Sequence, residues 1–204
     1  MESLSSPAPD SVWSRQETLA LLLARGSGGQ LVEVRLATAP AVASTSAGVR
    51  ATVAEALAGD SARYRDGQLV AAPLGLGEWT VTFPDGPRRV VPVPVGDLVA
   101  AQRATGAPDV VVFGDISAHA GPAPEAANLR SYAWAAASTA SGHCMEVRLT
   151  LGEGLEASAS IATEVAARVL ASPSPGAWTP GQLFDPELAE ACGAQVEAIQ
   201  PCRA

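Results

Sequence analysis

Residues 129–151, LRSYAWAAASTASGHCMEVRLTL, decide the fold. Two alternating runs, Leu129 to Thr139 and Cys144 to Leu151, flank Ser141-Gly142, a pair suited to a tight turn. Period-two alternation sends successive side chains to opposite faces of a strand. The stretch therefore predicts an antiparallel hairpin. Arg130, Tyr132 and Trp134 share one face of its first strand, and Glu146 and Arg148 share a face of its second.

Working outward, Leu31 to Thr38 alternates in the same way, with Val32, Val34 and Leu36 on one side and Glu33 and Arg35 on the other. Asp66-Gly67 sits inside Tyr64 to Val70 as a second hairpin turn. Glu78 to Phe83 places Trp79, Val81 and Phe83 on one side, and Pro84 to Pro87 turns the chain into Arg88 to Val95. Pro92 and Pro94 put that last segment at an edge or outside a sheet. Asp109 to Ile116 is apolar enough for a central strand. Helices are expected up to Arg25, from Ser44 to Leu57, from Asp97 to Gly106, from about Glu156 to Ala171, and from Pro186 to Cys192. The expected fold is α+β, a mixed and largely antiparallel sheet covered on one face by helices. Residues 1–10 read as a flexible tail and 11–204 as a single domain.

Composition narrows the function classes. All 13 basic residues are Arg, so a Schiff-base lysine is excluded. A net charge of −8 gives no basic stripe for nucleic acid. No apolar run reaches the roughly 20 residues of a membrane span. Cys144, Cys192 and Cys202 form an odd, sparse set without CxxC spacing. That set reads as free thiols in a reducing compartment, although Cys192 and Cys202 lie near enough in sequence to meet. Met1 to Asp10 lacks the charged-then-apolar layout of a signal peptide, so the expected location is cytoplasmic.

Candidate chemistry is sparse. No nucleophile elbow, HExxH or zinc pattern occurs. Gly152 to Ala157 matches GxGxxA between a strand and a helix, but Glu153 and Glu156 would repel phosphate, and Ser172 to Pro175 follows the helix where a second parallel strand should begin. His119 lies in an Ala/Pro/Gly-rich loop, residues 117–128, as a lid-borne acid or base or as a solvated loop residue. His143 flanks a turn and should be exposed, and adjacent strand residues such as His143 and Cys144 point apart. The stronger constellation is the set of strand rows. If the Arg130, Tyr132, Trp134 row, the Glu146, Arg148 row and Glu33 with Arg35 line one surface, they form an aromatic floor with charges suited to a carbonyl or an enolate. The same rows also suit solvent-facing cross-strand pairs. Asp115 ends the apolar strand after Phe113, placed either to act as a base or to cap the next loop.

Several segments resemble the saccharopine-dehydrogenase-like oxidoreductases after their Rossmann domain. They are Pro9 to Ser14 ahead of a Leu-rich helix, Tyr64 to Val70, Gly96-Asp97, Thr105 to Val110, the Trp134 strand, and Thr179 to Phe184. Trp13 stands where the family has Pro, and Asp109 where Asn is common. The resemblance implies a mixed sheet facing substrate and a homodimer partner through its edge or face. The parent chemistry is hydride transfer with a nicotinamide. The cofactor segments have no counterpart in these residues, so no cofactor is expected. The expectation that follows is a cofactor-independent cyclase or isomerase acting on an apolar, polyketide-like small molecule. Asp115, Tyr132 and Glu146 would be its catalytic groups. Trp134, Arg130, Arg148, Glu33, Phe113 and His119 would bind substrate. Half of a split reductase and a non-catalytic binding protein are the alternatives.

Overall fold

The structure is a computed structural model that describes residues 13–41, 46–73, 77–115, 129–184 and 186–202. The tail at residues 1–10 and the 117–128 loop with His119 lie outside the described residues. In chain order the elements are α1 (Trp13–Gly26), β1 (Leu31–Ala39), α2 (Ala47–Ala58), β2 (Ser61–Arg65), β3 (Gln68–Ala72), β4 (Trp79–Phe83), β5 (Gly86–Pro92), α3 (Asp97–Thr105), β6 (Asp109–Gly114), β7 (Ser131–Thr139), β8 (Cys144–Leu151), α4 (Gly154–Ala171), α5 (Pro180–Phe184), α6 (Glu187–Ala191), β9 (Gln195–Val196) and β10 (Gln200–Pro201).

The sheet is mixed and mostly antiparallel, in the order β10-β8-β7-β1-β6-β2-β3. Its parallel pair is β1 with β6, where Val34 faces Val110 and Ala37 faces Phe113. The predicted hairpin forms in register, with Trp134 opposite Arg148 and Ala136 opposite Glu146. The Asp66-Gly67 turn takes positive φ at both positions, 50° and 75°, as a two-residue hairpin turn with the twist of its strands requires. Gly106, at φ 65°, ends α3 in the left-handed conformation and donates its N–H to the Gln102 carbonyl.

Strand alternation divides the apolar side chains between two cores. Val34, Leu36, Val110, Val112, Ala133, Ala135, Val147 and Leu149 face α1 and α3, meeting Leu19, Leu23, Leu98 and Ala101. The other sheet face is covered in part by the β4–β5 hairpin. There Val81, Phe83 and Val90 bury Ala37, Phe113, Tyr132 and Trp134. Strand β7 is sandwiched between the two layers, and all but one of its residues are buried. Small alanines on β7 let both layers approach the sheet closely.

One strand edge shapes a cleft. The outer edge of β6 is shared by two partners. Strand β2 pairs with its beginning, Tyr64 opposite Val110, and β5 pairs with its end, Val91 opposite Gly114 and Pro92 opposite Phe113. The β2–β3 and β4–β5 ribbons therefore diverge from a common strand and leave a wedge between them.

The expectation of three free thiols is corrected. Cys144 and Cys202 form a disulfide, and Cys192 is the free thiol among the described residues. The physical reason is strand pairing. Strands β9 and β10 add antiparallel to the outer edge of β8, and Pro201 opposite Met145 brings Cys202 beside Cys144. A separation of 58 residues hides that proximity from sequence. Cysteine usage therefore gives no argument for a reducing compartment. No described helix is long and apolar enough to cross a membrane.

Residues Arg15 to Ala20 of α1 are all buried, so the helix is covered on every side there. The Glu17 carboxylate accepts from the Thr179 hydroxyl and from the Gly181 N–H at 3.1 Å. It fastens the closing Thr-Pro segment to α1. A Cβ at Gly181 would stand 2.6 Å from the Glu17 carboxyl carbon, which is why this close approach suits glycine. Burial pushes the Glu17 carboxyl above the usual carboxylate range, against the opposing pull of its bonds from Thr179 and Gly181. Between the ordinary and the raised value, the folded chain holds a proton that the unfolded chain has released. Stability therefore falls as pH rises through that window. Glu17→Gln keeps an acceptor oxygen and removes the titration. Thermal unfolding in mildly acidic and in neutral buffer should show a drop for the native chain and a smaller one for the variant; equal drops would refute the assignment.

Candidate functional site: a cleft between two strand ribbons

The wedge beside β6 is a cleft of about 560 Å³. Its floor is the face of β1 and β6 that carries Glu33, Arg35, Val111 and Phe113. Arg63 and the Ala71-Ala72-Pro73 end of β3 form one wall; Pro92 and the Gly77-Glu78-Trp79 approach to β4 form the other. Bound ligands commonly occupy concave sites of this size, with an apolar lining and a few placed polar groups.

Trp79 is the central side chain. Its ring meets Phe113 edge-on at 5.9 Å and Trp134 edge-on at 5.8 Å. The Arg35 guanidinium lies over the indole, 4.2 Å from the ring centroid. Arg35 is held there by Glu33, which accepts from Arg35 Nε at 2.8 Å and lies 2.7 Å from Nη2. At the rim, Glu78 is paired with Arg89. Arg63 has no carboxylate partner among the described residues.

The strand rows proposed from sequence do share one sheet face, through the registers Arg35 with Ala136, Ala37 with Trp134, and Trp134 with Arg148. Only part of that face is open. Glu33 and Phe113 line the cleft. Trp134, Glu146 and Arg148 are enclosed next to it, each under 7% exposed. The Trp134 indole donates to Glu146 Oε2 at 3.1 Å, and Arg148 Nη2 donates to Glu146 Oε1 at 2.8 Å. Arg148 also lies 3.6 Å from Glu197 in the C-terminal segment. Tyr132 is buried under Phe83, their rings stacked at 6.1 Å, and burial raises its phenol pKa above the usual value. The Asp115 carboxylate is shut off from solvent and accepts from Arg88 Nη1 at 2.9 Å. Burial lowers the Arg88 pKa, but its bonds to Asp115 and Asp85 outweigh that and leave it raised. Arg130 stands exposed just before β7, and His143 is exposed at the turn. Asp115, Tyr132 and Glu146, expected as catalytic groups, are thus absent from the cleft lining: Asp115 and Tyr132 lie by Arg88 and Phe83 of the β4–β5 ribbon, and Glu146 is enclosed with Trp134 and Arg148.

Of the lining residues that sequence did not single out for the site, Trp79 and Arg63 carry the most aromatic area and charge. The alternation of Trp79, Val81 and Phe83 signalled an inward face, but nothing local specified that β4 would fold back over β1 and β6.

The GxGxxA turn has its own occupant. The Glu153 carboxylate caps α4, accepting from Leu155 N–H at 2.7 Å and Glu156 N–H at 2.9 Å. Gly154 N–H donates to the Ala41 carbonyl, and its own carbonyl accepts from buried Arg15. A pyrophosphate at this helix N-terminus would have to displace Glu153. Among the described residues there is no cluster of three His, Cys, Asp or Glu suited to a metal.

No family model matches the chain, and no curated protein matches it.

Proposed function

We propose that this chain binds a small, flat, largely apolar molecule in the cleft between the β2–β3 and β4–β5 ribbons. The observation that carries this reading is Trp79, whose ring is braced from behind by Phe113 and Trp134 and overlaid by Arg35. An aromatic ring held in this way offers stacking area at little entropic cost. The likeness to a substrate-side domain of saccharopine-dehydrogenase-like enzymes supports the same reading.

A second reading, a cofactor-independent cyclase or isomerase, is favoured by the two guanidinium groups of Arg35 and Arg63 on the lining. Positive charge placed where an enolate develops lowers its energy, and a confining wall selects a reactive conformer. The two carboxylates on the lining, Glu33 and Glu78, are both held by arginines, and the neighbouring Asp109 accepts from the Asp66 N–H, so shape and guanidinium charge would do more here than a carboxylate base.

Ala71 is an exposed lining residue at the edge of the wedge, so Ala71→Trp should fill it without disturbing either core. Native mass spectrometry after incubation with a panel of unsaturated aromatic lactones should show one molecule retained by the native chain and none by the variant. Equal retention by both would place binding elsewhere. Conversion of the retained molecule over time, followed by its absorbance spectrum, would select the enzyme reading; unchanged release would select the binding protein.

A further inference from the structure

We propose that the cleft selects acids. Its preferred ligand carries one carboxylate, or a similar single anion, that lies on Arg63 while its apolar body lies against Trp79 and Phe113. The proposal rests on the reading of the cleft as a binding site and adds the ligand's charge to it.

The argument is a charge balance. Two acidic side chains line the cleft, Glu33 and Glu78. Each already has an arginine, Arg35 for the first and Arg89 for the second. Arg63 remains, with no carboxylate partner among the described residues. Asp109, in the adjoining recess, accepts from the Asp66 N–H and makes no ion pair with Arg63, so in a protein of net charge −8 an arginine without an ion pair among the described residues is a local exception to its surroundings. Arg63 sits on β2, across the floor from Trp79 on β4. A molecule spanning the cleft therefore meets guanidinium at one end and indole at the other. Guanidinium matches a carboxylate with two parallel N–H donors, and a charge-assisted bond of this kind is about twice as strong as a neutral one. Glu33 does not cancel the effect, because Arg35 holds it at 2.7 Å.

Two fluorescent probes of nearly the same shape test the charge. The first, 1-anilinonaphthalene-8-sulfonate, is an aromatic anion; the second, N-phenyl-1-naphthylamine, is its neutral counterpart. Each is titrated into the native chain, Arg63→Gln, Arg63→Lys and Ala71→Trp. Arg63 is exposed, so neither replacement burdens the core, and circular dichroism checks the fold of each variant. The expected result is that the native chain prefers the anion. Arg63→Gln weakens the anion by about tenfold and leaves the neutral probe unchanged. Arg63→Lys restores part of the preference, and Ala71→Trp abolishes binding of both probes. If Ala71→Trp blocks both probes but Arg63→Gln shifts them equally or not at all, acid selection is overturned and the cleft still stands as a binding site. If neither probe responds to Ala71→Trp, the binding-site reading falls, and acid selection falls with it.

Discussion

Arg148→Ala is expected to lower the unfolding free energy by about 3–5 kcal/mol, the usual cost of removing one member of a buried ion pair. Arg148 and Glu146 side chains are 7% and 6% exposed, and their contact is 2.8 Å long. The loss comes less from the missing attraction than from the charge left behind on Glu146 in a place that water cannot reach. The remedy tests the explanation. In Glu146→Gln with Arg148→Met, neither buried charge is left, Glu197 stays solvated, and the Gln oxygen still accepts from the Trp134 indole. The double variant should lose less than about 2 kcal/mol, the size of an imperfect hydrogen bond and some repacking. Urea unfolding of the two variants decides the matter. A single variant that loses under about 1 kcal/mol would mean the pair is solvated like a surface one.

The second large effect belongs to the disulfide. Joining Cys144 to Cys202 closes a loop spanning 58 residues of separation. In the chain-entropy account a loop of that length removes enough freedom from the unfolded chain to stabilise the fold by about 4 kcal/mol. Cys144→Ser with Cys202→Ser should therefore lower the urea midpoint markedly, and dithiothreitol should do the same to the native chain while leaving the double variant unmoved. The structural consequence is local as well. Strands β9 and β10 are two residues each and, among the described strands, pair with β8 alone. Without the covalent tie they should fray, and amide exchange along β8 should quicken before that of β1 or β7. Unchanged exchange on β8 would show that Glu197 N–H bonding to the Arg148 carbonyl, together with Arg148–Glu197 pairing, suffices to hold the tail.

Parity along the strands was legible in sequence, and it went far. Because side chains alternate, Glu33, Arg35, Trp134, Glu146 and Arg148 could be assigned to rows before any pairing was known, and the β7–β8 hairpin fixed two of those rows opposite each other. The Asp66-Gly67 turn was legible because few residue pairs tolerate positive φ at both positions, and the Ser141-Gly142 turn because Gly142 readily takes its φ of 83°. Long-range choices were not legible. Nothing in β6 states that its outer edge will be divided between β2 and β5. Trp79, Val81 and Phe83 announce an inward face without saying which surface they cover. Those choices are made by packing among segments tens of residues apart. So the rows were right while their environment was not foreseen: β4–β5 closes over Tyr132 and Trp134 and leaves only the β1–β6 end of the row open. The cysteine pairing failed to show for the same reason, since it depends on where a two-residue strand docks.

The two-sided construction around β7 has a consequence for tolerance to substitution. The helical layer carries most of the large aliphatic packing, whereas the cleft's outer wall is a short ribbon, β2–β3, which touches the rest of the sheet at β6 through Tyr64 and Val110. Arg63, Ala71 and Pro73 on its exposed side can change with little effect on the helical layer, whereas Ala62 and Tyr64 of the same ribbon pack against it. The lip of the crevice can therefore vary in size and charge at those exposed positions while the helical layer is kept.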